Sequence, residues 1–246
     1  IGNEVLEQWS SADADTLTLE QANLILNAGH DASTLAKDGE LSVNSLLTQH
    51  LAEIIKRYDT TRPVTAGCNE PDPNNHLFKS GAIDLIGFNY HRQWIKDVPK
   101  NFPGKPFIMT ESVSALQTRG YYGMPSDKIN IAPERWDLPF TDPTFMCSSY
   151  DNMHAPWSST HEQTWDIVKN TPYCGGQFIW TGWDYIGEPT PYGFPAHSSY
   201  FGIIDLAGFP KDVYYMYQSE WTDKDVLHLF PHWNWIPGQD IDMWCY

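Results

Sequence analysis

The sequence predicts an α/β fold built around a parallel sheet. Three observations lead there. Short apolar runs recur along the chain, each with a turn residue before or after it. These runs are apolar throughout rather than alternating, as in strands covered on both faces. Between and around them lie segments with helical spacing of apolar residues, and strand, helix, strand in series argues for a parallel sheet, open or closed into a barrel.

The strands are read in order. Arg62 to Gly67 is a short strand ending in glycine. Ala82 to Tyr90 is a second, bounded by Gly81, and Lys105 to Thr110 is a third. Gly175 to Thr181 is a fourth. One helix carries Leu47, Leu51, Ile54, Ile55 and Tyr58 as a single apolar stripe. A second opens on the capping-box pattern Ser159-Thr160-His161-Glu162 and runs to about Asn170. A third starts at Pro210 and places Val213, Tyr217 and Trp221 on one face.

Two long stretches, residues 10–39 and 112–158, lack either periodicity. Loops of this length are functional or disordered, and their aromatic residues favour order. Residues 226–235 and 240–246 read as strands of a separate element. The chain shows no internal repeat and no low-complexity segment.

Composition bounds the function. The 246 residues carry 15 basic and 31 acidic side chains, a formal net charge of -16. That balance argues against nucleic acid, whose recognition needs basic patches. No apolar stretch approaches the roughly 20 residues of a membrane helix. With 11 Trp, 13 Tyr and 11 Phe, the chain has enough flat apolar faces for a large aromatic core, for a sugar-lined cleft, or for both. Cys68, Cys147, Cys174 and Cys245 form no C-x-x-C pair and no disulfide framework, so no zinc site is expected.

Glycoside hydrolysis needs two carboxyl groups facing each other across the sugar. Glu111 directly follows the strand Lys105 to Thr110, and in a barrel the strand C-termini form the active-site face. Most carboxylates at such positions are solvated or ion-paired, so position alone does not make Glu111 catalytic. Glu4 has almost no chain before it to support it.

The motifs Gly2-Asn3-Glu4 and Thr110-Glu111-Ser112 together resemble glycoside hydrolase family 2, which includes β-galactosidases and β-glucuronidases. The resemblance implies a (β/α)8 barrel with Glu4 as acid/base at the end of the fourth strand and Glu111 as nucleophile at the end of the seventh. It gives Asn3 the sugar 2-hydroxyl. Tyr90, in Phe88-Asn89-Tyr90-His91, matches the family tyrosine that hydrogen-bonds the nucleophile. Trp180, in Phe178-Ile179-Trp180, matches the tryptophan under the sugar, which the family follows with a cis peptide, so one is expected at Trp180-Thr181. The run Trp180 to Pro189, with Gly202-Ile203-Ile204-Asp205 and Phe209-Pro210-Lys211-Asp212, is most similar to large bacterial β-galactosidase-like members.

On this reading residues 1–225 are the C-terminal half of the barrel and 226–246 begin a β-sandwich. The earlier strands and N-terminal domains of the same polypeptide are then the partner the site requires. The mechanism asks the acid to be raised by burial or by its neighbour's charge while the nucleophile stays ionised. The family's magnesium ligands lie largely upstream of Glu4; beyond that divalent cation near the acid/base, no cofactor is expected. Relatives are often exported, so a periplasmic or secreted location is expected by resemblance.

Secondary candidates follow. His91 lines the sugar site or is a plain hydrogen-bonded histidine. Asp184, Tyr185 and Glu188 contact sugar or brace the loop at Pro189, and Trp183 is a platform or core. Arg119 reads as an exposed loop arginine. His228 and His232 are four apart, but Pro231 makes the segment a strand rather than a metal-binding helix. Two departures bear on the sugar. Ser112, Val113 and Ser114 follow Glu111 where some family galactosidases have a histidine for the 6-hydroxyl. Ser198-Ser199-Tyr200-Phe201 stands where glucuronidases carry an Asn-x-Lys clamp, so a glucuronide is the least expected substrate. The expected function is a retaining exo-β-glycosidase for β-galactosides. The alternatives are a mannoside- or fucoside-specific relative, or a non-catalytic carbohydrate-binding barrel remnant.

Overall fold

The computed structural model describes Glu4, Glu20, Leu35, Ala36 and residues 41–246. Asn3 and nearly all of the 10–39 stretch lie outside the described residues. The described elements, in chain order, are α1 (Val43–Tyr58), α2 (His76–Lys79), β1 (Ile86–Asn89), a 3-10 helix (Arg92–Asp97), α3 (Val98–Asn101), β2 (Phe107–Glu111), β3 (Asn130–Ile131), β4 (Met153–His154), α4 (His161–Lys169), β5 (Cys174–Gln177), α5 (Asp212–Trp221), β6 (Leu229–Phe230) and β7 (Trp244–Cys245). The chain divides into two units, residues 1–112 with 164–179 and residues 113–163 with 180–246.

The first unit holds a parallel sheet in the order β1-β2-β5. Phe88, Phe102, Phe107 and Phe78 pack edge-on or tilted around its buried face, with Ile86, Met109 and Val168. Burying each such side chain contributes about 1.5–3 kcal/mol, which is why these continuous apolar runs become strands. The predicted strand at 62–67 is not one. It runs beside β1, with the Val64 amide bonding the Asp84 carboxylate and the Val64 carbonyl accepting from the Asp84 and Leu85 amides. Among the described residues, isolated bridges form only at its end, at Gly67 and, just past it, between Cys68 and Phe88.

The helix α1 starts earlier than its apolar stripe. Ser42 accepts from the Ser45 amide and caps it. Its buried face is polar: Ser45 donates to the His76 carbonyl and Gln49 to that of Ser80. The stripe was expected to face a core, but Leu47, Ile55 and Tyr58 are exposed among the described residues, Tyr58 at 89%.

In the second unit, β3 and β4 form a short parallel pair within the long 112–158 stretch, so that stretch is an ordered loop. The capping box of α4 sits one residue later than its sequence pattern: Thr160 and Gln163 bond reciprocally, while Asp151 accepts the His161 and Glu162 amides. Pro210 stands outside α5, before its N-cap Lys211, and the buried face is Val213, Met216 and Tyr217 while Trp221 is 45% exposed. The predicted strands at 226–235 and 240–246 shrink to the antiparallel pair β6–β7. Pro231 ends β6 because it has no N–H to give the ladder. All four cysteines are free thiols.

Candidate active site

The C-terminal ends of β1 and β2 bring the first unit's functional side chains together. The ladder runs in register from Ile86–Phe107 to Phe88–Met109, then slips so that Asn89 faces Glu111 and Thr110 has no partner. Such an irregularity re-aims the side chains that follow it. Tyr90 donates its amide to the Glu111 carbonyl (2.5 Å) and its hydroxyl to Glu111 Oε2 (2.9 Å). Glu111 is therefore held from both its backbone and its carboxylate.

Asn89 links the second carboxylate to the same strands. It is fully buried, and its Nδ2 donates to Glu4 Oε1 at 2.9 Å while its Oδ1 accepts from Thr110 Oγ1 at 2.6 Å. The Glu4 amide donates to the Gly67 carbonyl at 3.0 Å. Thus Glu4, Asn89 and Thr110 form one hydrogen-bonded line, with Tyr90 and Glu111 as the next residues along each strand.

The backbone at this site is unusual for L-residues. Glu4, Tyr90 and His91 all have positive φ, at 53°, 56° and 51°. Such conformations are uncommon outside glycine and cluster at functional sites. The layer beneath leaves no slack. A Cβ on Gly87 would lie 2.7 Å from both the Ala66 carbonyl and Thr110 Cγ2, so only glycine lets β1 approach its neighbours here. His91 is buried, with Nε2 3.2 Å from Asn69 Oδ1.

The remaining candidates belong to the second unit. The Trp180–Thr181 peptide is cis, as expected from the resemblance. Trp180 Nε1 donates to the Tyr185 hydroxyl at 3.2 Å, and that hydroxyl donates to Glu188. Glu188 is exposed with φ 44°. Trp183 is 63% exposed, which makes it a surface ring rather than core.

Asp184 does not fit the role of a sugar contact. Its Oδ2 pairs with Lys211 Nζ at 2.8 Å, and its Oδ1 accepts from the Gly202 amide at 2.8 Å and from Ser199. Lys211 is only 1% exposed and spends its other donors on the carbonyls of Gln117 (2.7 Å) and Tyr200 (3.2 Å). Burial pushes the Asp184 carboxyl up and the Lys211 amine down, each opposed by its partner's charge. Three acceptors around the ammonium favour the charged pair, and the pair locks the segment after Trp180 to Phe201–Gly202. Asp184 is a brace.

Arg119 pairs with Asp205 at 2.6 Å and lies over the Phe209 ring, so it is bound rather than free. His228 bonds Asp212 at 2.7 Å and His232 stacks on Trp235, which accounts for both without a metal. Among the described residues, no three His, Cys, Asp or Glu side chains gather as a ligand set.

Sequence reasoning missed Asn89 and Lys211. Asn89 stands directly before Tyr90, and that adjacency at a strand end was the available signal. Lys211 lay within the Phe209-Pro210-Lys211-Asp212 motif, but nothing local shows that it is buried.

No family model matches the chain. It is 69% identical over its whole length to the β-galactosidase BoGH2A of Bacteroides ovatus, and it spans 29% of that protein. A crystal structure of a β-glycosidase from Bacteroides vulgatus shares 32% identity and a TM-score of 0.60, covering 78% of this chain and 26% of that one. A Bacteroides uniformis β-glucuronidase structure is 17% identical with a TM-score of 0.52, covering 93% of this chain and 24% of that one, a likeness of fold. The chain therefore spans less than a third of the length of these relatives. Motifs and relatives point the same way: the chain is similar to a segment of the β-galactosidase BoGH2A, and its motifs resemble those of glycoside hydrolase family 2.

Proposed function

We propose that this chain carries the catalytic carboxylates of a retaining exo-β-glycosidase, with a β-galactoside as substrate. The observation that carries the reading is the linked pair of carboxylates: Tyr90 donates to Glu111 while Asn89 donates to Glu4. A hydroxyl donor on Glu111 favours its charged form, the form that attacks the anomeric carbon. Attack expels the leaving oxygen as Glu4 gives it a proton, leaving the sugar esterified to Glu111. Glu4 then takes a proton from water, which attacks the same carbon and frees Glu111.

The resemblance assigns Asn3 to the 2-hydroxyl and Trp180 to the sugar floor, while the positions of His91 and Glu188 just past predicted strand ends make them candidate sugar contacts. It also supports a barrel segment over 1–225, a sandwich from 226, completion of the site by N-terminal domains of the same polypeptide, and a periplasmic or secreted location. The choice of galactose rests on the name of the 69% identical relative and on the missing Asn-x-Lys clamp.

The test is a 2-deoxy-2-fluoro-galactosyl fluoride, which traps the glycosyl-enzyme, followed by peptide mapping of the intact protein. The label is expected on Glu111, and Glu111→Gln abolishes both label and turnover. A label on another carboxylate, or full activity in Glu111→Gln, rejects the assignment. Sugar binding with neither label nor turnover in the wild type would instead favour the non-catalytic remnant.

A further inference from the structure

The second unit contains a cavity of 810 Å³ that the carboxylate site does not use. Two loops build it, residues 133–145 with Trp157 on one side and residues 190–194 on the other. Its size falls within the roughly 300–1,000 Å³ typical of ligand clefts. Six of its fifteen lining residues are aromatic. Phe194 is 88% exposed, and Phe145 and Trp136 are 40% and 39% exposed. Leaving three such rings in water forgoes their burial, and grouped exposure of this kind marks a binding surface.

Part of this wall is held in place around Phe145. Tyr192 is buried, packs against Phe140 at 5.3 Å and Phe145 at 5.4 Å, and donates its hydroxyl to the Met146 carbonyl. Tyr200 donates to the Phe145 carbonyl at 2.9 Å, which ties down a residue whose φ is 52°. Fixed rings lose little entropy when a ligand arrives. The cavity has one charged lining residue, Asp142, which Thr144 holds in its ionised range by hydroxyl and amide hydrogen bonds.

We propose that this cavity is a binding site for a neutral oligosaccharide, whose pyranose C–H faces lie on Trp136, Phe145 and Phe194 and whose hydroxyls donate to Asp142. Flat apolar faces suit the C–H face of a pyranose, and a carboxylate suits its hydroxyls. The same carboxylate repels a uronate, so acidic oligosaccharides are excluded. This proposal extends the glycosidase reading by naming a glycan chain longer than the sugar that is cleaved.

Binding is measured by calorimetry on the intact protein carrying Glu111→Gln, with β-1,4-galactotetraose as the neutral probe and tetragalacturonate as the acidic one. Trp136→Ala and Phe194→Ala should each weaken the tetraose by about tenfold, the loss of one aromatic contact. In the Glu111 background, both should leave turnover of a small chromogenic β-galactoside unchanged, which shows that they fold. Asp142→Asn should admit tetragalacturonate. Tetraose affinity unchanged in both ring variants, no tetraose binding at all, or equal binding of the two probes would overturn the proposal. Lack of galactoside turnover in the wild type with tetraose binding intact would reject only the glycosidase reading.

Discussion

Tyr90 holds Glu111 through two bonds of different kinds, and only one depends on its side chain. The backbone bond to the Glu111 carbonyl sets the register; the phenol bond to Oε2 acts on the carboxylate. Tyr90→Phe keeps the ring and the backbone. On the proposed mechanism it should reduce kcat on a β-galactoside on the order of 10- to 100-fold, with KM little changed, because the lost donor would act on the nucleophile, whose charge changes during that reaction. Steady-state kinetics decides this, and a change in KM alone would mean that Tyr90 binds ground-state sugar instead. Asn89 acts in the same way on Glu4, but its burial makes it a structural residue as well.

At the scale of elements, the segment after Trp180 depends on one buried ion pair. Lys211 and Asp184 lie at opposite ends of the 184–211 stretch and meet with side chains 1% and 8% exposed. Removing one partner strands the other charge in a dry site. Lys211→Met should lose about 3–5 kcal/mol in urea unfolding, whereas Lys211→Met with Asp184→Leu should recover most of it, since an apolar pair of similar volume carries no desolvation cost. Equal losses in the single and double variants would show that the packing around the pair matters more than its charge. Gly202 stands under the same segment: a Cβ there would clash with the Asp184 amide and lie 2.6 Å from the Ile204 carbonyl, so the loop closes only on glycine.

For the molecule as a whole, two buried groups near the start of α4 set opposing pH dependences. Burial pushes Asp151 up to about 7, although the His161 and Glu162 amides donate to it. Burial also pushes His161 down to about 3. The raised acid favours folding at low pH. As pH rises from about 4 to 7, the unfolded chain ionises first and the folded state loses stability. The depressed base has the opposite sign, and its contribution is lost as pH falls from about 6.5 to 3. Asp151→Asn removes the first effect alone. Its stability relative to the wild type should rise by a few kcal/mol between pH 4 and 7 and then level off, as thermal unfolding across that range will show. A flat difference would place the Asp151 pKa within the ordinary carboxylate range.

Much of this molecule was legible in the chain. The apolar runs at 82–90 and 105–110 overlap the observed strands β1 and β2 because burial on both faces demands apolar residues, a local requirement, whereas the run at 175–181 meets β5 only at 175–177 and leaves Phe178 65% exposed. The place of Glu111 at the end of β2 was legible for a similar reason, since the end of a strand can be read from the strand. Pro231 and the α1 stripe show where local patterns fail: one proline shortened a predicted strand, and a helical stripe lay exposed because polar bonds to α2 chose the other face. What only the tertiary structure decided spans long separations. Asn89 meets Glu4 across 85 residues, and Lys211 meets Gln117 across 94. The two loops of the aromatic cavity are likewise distant in the chain. Periodicity and spacing report which residues want burial or a partner; which partner each one finds depends on contacts closed by the folded chain.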